Sequence, residues 1–80
     1  MSLMVEVSYE SPSDPRREAT ISERVGQFGG RLTYREEPER TGVGPVCLTY
    51  EFDAFTQAEE AACQLRSQGE HVEGPMEYGD

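Results

Sequence analysis

The side chains with reactive chemistry in this chain are two cysteines, one histidine and a set of carboxylates. There is no Cys-x-x-Cys or His-x-x-x-His spacing, so the sequence predicts no metal site. No serine lies in a Gly-x-Ser-x-Gly pattern, and residues 42–45 lack the lysine of a phosphate loop. We therefore predict a chain with no catalytic residues and no cofactor. A small enzyme that uses Glu6, Glu51 or His71 is the less favoured alternative.

Two arginines, Arg16 and Arg17, follow Asp14 and Pro15. Asp14 is typical of a helix N-cap, and proline is typical of the first helical position. Cations are unfavourable at the start of a helix unless an anion lies between them and the free backbone N–H groups. Arg16 and Arg17 therefore predict a binding site for a small carboxylate or phosphate. The alternative is that both side chains are solvated and face nearby glutamates.

The elements that must position these residues can be predicted from the hydrophobic periods. Alternation with period two predicts strands, and spacings of three and four residues predict helices. The order is strand (from Leu3), helix (from Asp14 or Thr20 to Gly29), strand (from Arg31), strand (from Val46), helix (from Thr56 to Gly69) and strand (from His71). This order predicts an α+β fold, a ferredoxin-like βαββαβ sandwich with two helices on one face of a four-stranded antiparallel sheet.

The second helix is expected to open with a capping box over residues 56–59, in which Thr56 is the N-cap. Its predicted apolar stripe is Phe55, Ala58, Ala62 and Leu65.

Alternation along the strands divides their side chains between the helices and an open face. Expected toward the helices are Val5, Val7, Tyr9, Leu32, Tyr34, Val46, Leu48, Tyr50, Phe52 and Val72. Expected on the open face are Glu6, Ser8, Thr33, Arg35, Cys47, Thr49, Glu51, His71 and Glu73. The carboxylates of Glu6, Glu51 and Glu73 could hold a divalent cation or act in acid–base chemistry. In the alternative interpretation, Arg31 and Arg35 neutralise their neighbours and the remaining carboxylates are solvated.

The two cysteines, Cys47 and Cys63, are predicted to lie on opposite sides of the molecule. Cys47 falls on the open face, and Cys63 falls on the second helix away from its apolar stripe. Their Cα atoms should be farther apart than the roughly 7 Å that a disulfide can bridge. We therefore expect two free thiols, a reducing compartment and a cytoplasmic location.

The charge balance excludes some classes of partner. Sixteen acidic residues against seven basic ones give a net charge of −9, which repels nucleic-acid backbones and anionic lipids. The three strand tyrosines are expected on the helix side, where they could not stack on RNA bases. We therefore predict no nucleic-acid and no membrane partner. All seven basic residues are arginine, which fits either adaptation to high salt or a GC-rich codon bias.

Eighty residues predict a single domain over 1–80, in which residues 1–3 are a cloning remnant or a disordered start. The charged segment 36–45 is long for a hairpin loop, so it is expected to be either mobile or functional.

The segment from Ile21 to Gly30 (ISERVGQFGG), followed by a strand, an acidic hairpin, a strand and a second helix, resembles the ACT regulatory domains. Those domains share the βαββαβ topology, often bind amino acids, and form dimers by pairing sheets or helices side by side. The resemblance implies a regulatory domain for a small anionic ligand such as an amino acid. No ligand residues are transferred from the family, because its Asp-x-Pro-Gly-type turn is not matched: Arg16 follows Asp14 and Pro15.

The residues themselves favour a small non-catalytic module that binds a protein partner or forms a homodimer. A polar open face is unsuited to an apolar obligate interface, so the expected contact is an edge strand or the helix side. The ACT-like binding of a small molecule is the main alternative.

Overall fold

The computed structural model describes residues 2–38 and 44–78. Its elements are β1 (Ser2–Glu10), α1 (Pro15–Gln27), β2 (Arg31–Glu36), β3 (Pro45–Phe52), α2 (Phe55–Ser67) and β4 (His71–Tyr78). The four strands form one antiparallel sheet in the order β2-β3-β1-β4. The predicted α+β, ferredoxin-like βαββαβ arrangement is confirmed. Part of the 36–45 loop, residues 39–43, lies outside the described residues.

The core lies between the helices and one face of the sheet. Its central strands alternate strictly, because every second residue of β1 and β3 is buried. The buried apolar residues are Leu3, Val5, Val7, Tyr9, Ile21, Val25, Val46, Leu48, Tyr50, Phe52, Ala58, Ala61, Ala62, Leu65 and Val72.

Helix α1 begins at the first of its two predicted starts, Asp14, and not at Thr20. The Asp14 carboxylate accepts a hydrogen bond from the Arg17 backbone N–H at 3.1 Å, and Pro15 is the first helical residue. Both helices are followed by a glycine with positive φ, Gly29 (84°) and Gly69 (91°), a conformation that glycine adopts without steric penalty. Each helix has 13 residues, and neither is long and apolar enough to span a bilayer.

The predicted capping box of α2 is wrong. The helix begins at Phe55, Ala54 is its N-cap, and the cap makes no side-chain hydrogen bond. The Ala54 carbonyl already accepts the Ala58 N–H at 3.1 Å, so Thr56 lies within the first turn. Phe55, the first residue of α2, is 53% exposed and does not belong to the apolar stripe. Ala61 takes its place in the stripe, with Ala58, Ala62 and Leu65.

Strand β2 carries a bulge that the hydrophobic pattern does not reveal. Between Leu32 and Tyr34 the register shifts by one residue, so Thr33 is extra relative to β3. The paired residues are Arg31 with Glu51, Leu32 with Tyr50, Tyr34 with Thr49, Arg35 with Leu48 and Glu36 with Cys47.

The bulge overturns two of the predicted orientations, because a slip of one residue exchanges the two faces of a strand. Tyr34 lies opposite Thr49 on the open face, and Arg35 lies opposite Leu48 on the helix side. Leu32 keeps its predicted face, but it is 46% exposed instead of buried.

Strand β4 forms the other edge of the sheet and has eight residues, beginning at His71 as predicted. It also has an irregularity, because the Gly74-Pro75 pair is accommodated between the residues opposite Met4 and Glu6. Proline has no backbone N–H and cannot donate a hydrogen bond to a neighbouring strand. It is therefore tolerated in an edge strand and at an irregularity such as this one.

Candidate functional site

The open face gathers most of the predicted site residues in three rows across the sheet. The rows, from β2 to β4, are Glu36–Cys47–Ser8–His71, Tyr34–Thr49–Glu6–Glu73 and Arg31–Glu51–Met4–Met76. Glu6, Cys47, Thr49, Glu51 and His71 therefore share this face, as predicted.

The carboxylates of the open face are spread rather than convergent. Glu51 forms an ion pair with Arg31, which also contacts Asp53 at 3.5 Å. Glu6 lies opposite Glu73, and the Glu73 carboxylate is 3.8 Å from His71 Nε2. Within residues 2–38 and 44–78, no group of three or more metal-ligating side chains converges. This arrangement is that of a solvated polar surface.

Two surface depressions formed by the described residues contain none of these carboxylates. A shallow one of about 350 Å³ lies on the helix layer and is lined by Phe28, Glu60, Cys63, Gln64 and Ser67. Another, of about 370 Å³, borders His71 at the edge of β1 and is lined also by Ser8, Tyr9, Glu10 and Pro45.

The two cysteines are free thiols, and they lie on opposite layers as predicted. Cys47 is half-buried on the open face and Cys63 is exposed on α2. Burial raises the pKa of the Cys47 thiol, and the nearby carboxylates of Glu6, Glu36 and Glu73 raise it further. Because the thiolate is the reactive form, Cys47 is a poor nucleophile at neutral pH.

We expect iodoacetamide to alkylate Cys63 several-fold faster than Cys47 in the folded protein at pH 8. The physical reason is the exposure of Cys63 and the raised pKa of Cys47. Rates measured by mass spectrometry on Cys63→Ser and Cys47→Ser variants assign each thiol. Equal rates in the folded protein, with equal rates again in urea, would contradict this assignment.

Arg35 belongs to a cluster on the helix side, which we call the Glu18 cluster (Tyr9, Glu18, Arg35 and Glu37). Arg35 donates to both carboxylate oxygens of Glu18, at 2.6 and 2.9 Å, and its Nη1 lies 2.6 Å from Glu37. The Tyr9 hydroxyl also donates to Glu18. These hydrogen bonds, chiefly those from Arg35, hold the pKa of Glu18 below its usual value despite burial. The cluster joins β1, α1 and β2.

Carboxylates of the chain itself occupy part of the anion site predicted at Arg16 and Arg17. The Asp14 carboxylate caps the helix N-terminus, and Arg17 Nη2 lies 2.7 Å from the Glu70 carboxylate. The Arg17 guanidinium also stacks 5.0 Å from the centre of the Tyr9 ring. Arg16 is exposed at the surface.

A feature that sequence reasoning missed is the β2 edge, which we define as the outer side of residues 31–36. All six residues of β2 are exposed. Among the described residues, two of the three large exposed apolar side chains belong to it, Leu32 at 46% and Tyr34 at 58%. The hydrophobic pattern predicts that both side chains face the helices. The exposure of Tyr34 could have been predicted only if the bulge at Thr33 had been known.

The two sheet edges differ in how far the chain itself covers them. At β4, Arg66 Nη2 donates to the carbonyls of Val72 (3.2 Å) and Gly74 (2.8 Å), and Pro75 has no N–H to offer. In the described part of the chain, no side chain bonds the backbone of β2 in this way. As far as residues 2–38 and 44–78 cover the two edges, the β2 edge is therefore the more available for pairing with another strand.

Comparison of the chain with protein-family models, with curated proteins and with solved structures finds no match.

Proposed function

We propose that this chain is a small non-catalytic interaction module that self-associates through the β2 edge. The observation that supports this proposal is the exposure of β2. It lies at one edge of the sheet, and all six of its residues are exposed, including Leu32 and Tyr34. An edge strand presents unpaired N–H and C=O groups, which a strand from another chain can satisfy.

The distribution of apolar surface supports the same choice of interface. The open face has four carboxylates in its three rows, Glu6, Glu36, Glu51 and Glu73. Two copies that approached through that face would bring like charges together. At the β2 edge, Leu32 and Tyr34 lie between Arg31 and Arg35 instead. An interface formed by strand pairing is held by main-chain hydrogen bonds, so it does not require an apolar core.

The net charge of −9 on each copy opposes association over long range. At about 0.15 M salt the screening length is roughly 8 Å, so this repulsion is largely removed while direct contacts persist. The interface would be one strand of six residues on each side, about 20 Å long. Interfaces of this size are weak, and we expect a dissociation constant on the order of 100 µM.

Leu32→Lys tests the proposal, because lysine on an edge strand hinders strand pairing. The matched control is Phe55→Lys, which makes the same change of charge at a side chain of similar exposure outside β2. Both variants lower the net negative charge, so general repulsion falls equally in both. We expect roughly tenfold weaker dimerisation for Leu32→Lys and no loss for Phe55→Lys.

The measurement is light scattering with size-exclusion chromatography at about 0.5 mM protein and 0.15 M salt, with melting curves to show that each variant is folded. An unsubstituted chain that stays monomeric under these conditions, or equal losses in both variants, would refute the proposal.

A further inference from the structure

We infer that the β2 strands of two copies pair antiparallel in one particular register, in which Arg31 of each copy lies opposite Glu36 of the other. This inference rests on the proposed function, since it specifies the partner and the contacts at the same β2 edge. It depends on the bulge at Thr33, which decides which β2 side chains share a face.

The faces of β2 follow from its pairing with β3. Arg31, Tyr34 and Glu36 pair with open-face residues, whereas Leu32 and Arg35 pair with helix-side residues. When two antiparallel strands lie in one continuous sheet, side chains that oppose each other are on the same face. A two-fold axis normal to the sheet relates the two copies, so each contact occurs twice.

In one register all six residues of β2 lie opposite the β2 strand of the other copy. At both ends of the strand in this register, the opposing side chains are on the same face of the sheet. Arg31 lies opposite Glu36 on the open face, and Leu32 lies opposite Arg35 on the helix side. Two Arg–Glu pairs therefore form across the axis. Leu32, which is exposed in the single chain, packs against the aliphatic part of the Arg35 side chain.

The bulge converts an unfavourable self-pairing into a favourable one. In a regular strand Arg31, Thr33 and Arg35 would share a face, and pairing centred on Thr33 would set Arg31 against Arg35 of the partner copy. Like charges directly opposite each other destabilise a sheet, and opposite charges stabilise it. The extra residue moves Arg35 to the other face and brings Glu36 opposite Arg31.

Both members of the proposed pair are available for it. Arg31 contacts Glu51 and Asp53 in its own chain, and both of these contacts are made by Nη2. A guanidinium has five N–H donors, so those on Nε and Nη1 are left for Glu36 of the other copy. Glu36 is exposed and accepts a hydrogen bond only at one oxygen among the described contacts, from the Tyr34 hydroxyl at 3.2 Å.

Charge reversal tests the register through a mixture of two variants. Arg31→Glu alone sets two carboxylates opposite each other in both pairs, and Glu36→Arg alone sets two guanidinium groups opposite each other. We expect each variant to dimerise roughly tenfold more weakly than the parent chain. An equimolar mixture restores both opposite-charge pairs, so heterodimers should form at the parent affinity, and the double variant Arg31→Glu/Glu36→Arg should form homodimers.

The controls match the charge changes at exposed helical positions. Arg16→Glu has the same net charge as Arg31→Glu, and Glu59→Arg has the same net charge as Glu36→Arg. Neither control should lose the dimer. If loss of the Glu51 ion pair unfolds Arg31→Glu, the variant Arg31→Glu/Glu51→Arg keeps an ion pair within the chain and replaces it in the mixture.

The experiment separates the two proposals. Analytical ultracentrifugation of each variant and of the mixture, at 0.15 M salt, gives the dimer fractions. A parent dimer that Leu32→Lys weakens, without recovery in the mixture, overturns the register and leaves the β2 interface standing. A parent chain that is monomeric overturns both.

Discussion

We expect Gly30→Ala to destabilise the protein by about 2–3 kcal/mol, the upper part of the range for a methyl group forced into a packed interior. A Cβ atom at this position would lie 2.5–2.6 Å from two ring carbons of Phe52 and would overlap the Val25 side chain. Val25 and Phe52 are both fully buried, so neither can move aside without disturbing the core between α1 and β3.

Gly26→Ala is the matched control for this substitution. Gly26 lies within α1, and an added Cβ would meet nothing within 4 Å. Alanine there should stabilise the helix by about 0.5–1 kcal/mol, because glycine loses more backbone entropy on folding. Urea denaturation of both variants gives the free energies of unfolding. Similar values for the two variants would show that the α1–β2 turn is not packed as described.

Glu18→Gln is the second large effect, with an expected loss of about 1–2 kcal/mol in the free energy of unfolding. Glu18 accepts two hydrogen bonds from Arg35 and one from Tyr9, and its side chain is only 14% exposed. Glutamine loses the charge and retains one acceptor oxygen, so part of this cluster is left unsatisfied. Glu23→Gln, at an exposed position of the same helix, should change stability by less than about 0.5 kcal/mol.

The pH dependence of this effect has a definite sign. The pKa of Glu18 is lower in the folded protein than its usual value of 4.5, so the charged carboxylate stabilises the fold above that pH. The contribution is lost as the pH falls below about 4.5 and through the folded-state pKa. The difference in stability between the parent chain and Glu18→Gln should therefore be constant near neutral pH and shrink in acid. A difference that grows on acidification would contradict the role given to Glu18.

The local elements were predictable because their causes are local. Strict alternation in β1 and β3 identifies half-buried strands. Asp14 with Pro15 gave one of the two predicted starts of α1, and it is the one that the structure has. The element order then restricts an antiparallel sheet of this size to few arrangements. The start of α2 was less predictable, because Thr56 matches a capping box while the backbone of Ala54 already begins the helix.

The open-face site was predictable only for the regular strands. Glu6, Cys47, Thr49, Glu51 and His71 share a face because β1, β3 and the start of β4 alternate without interruption up to those positions.

The sequence by itself therefore determined the α+β fold, the residues of the core in β1 and β3, and the acidic character of the surface. Only the tertiary structure decided the faces of Tyr34 and Arg35, the pairing of Arg17 with Glu70 and the exposure of the β2 edge. The physical reason is that a bulge depends on how one strand meets its neighbour. The sequence around Thr33, the residue without a partner in β3, does not distinguish it from a residue of a regular strand.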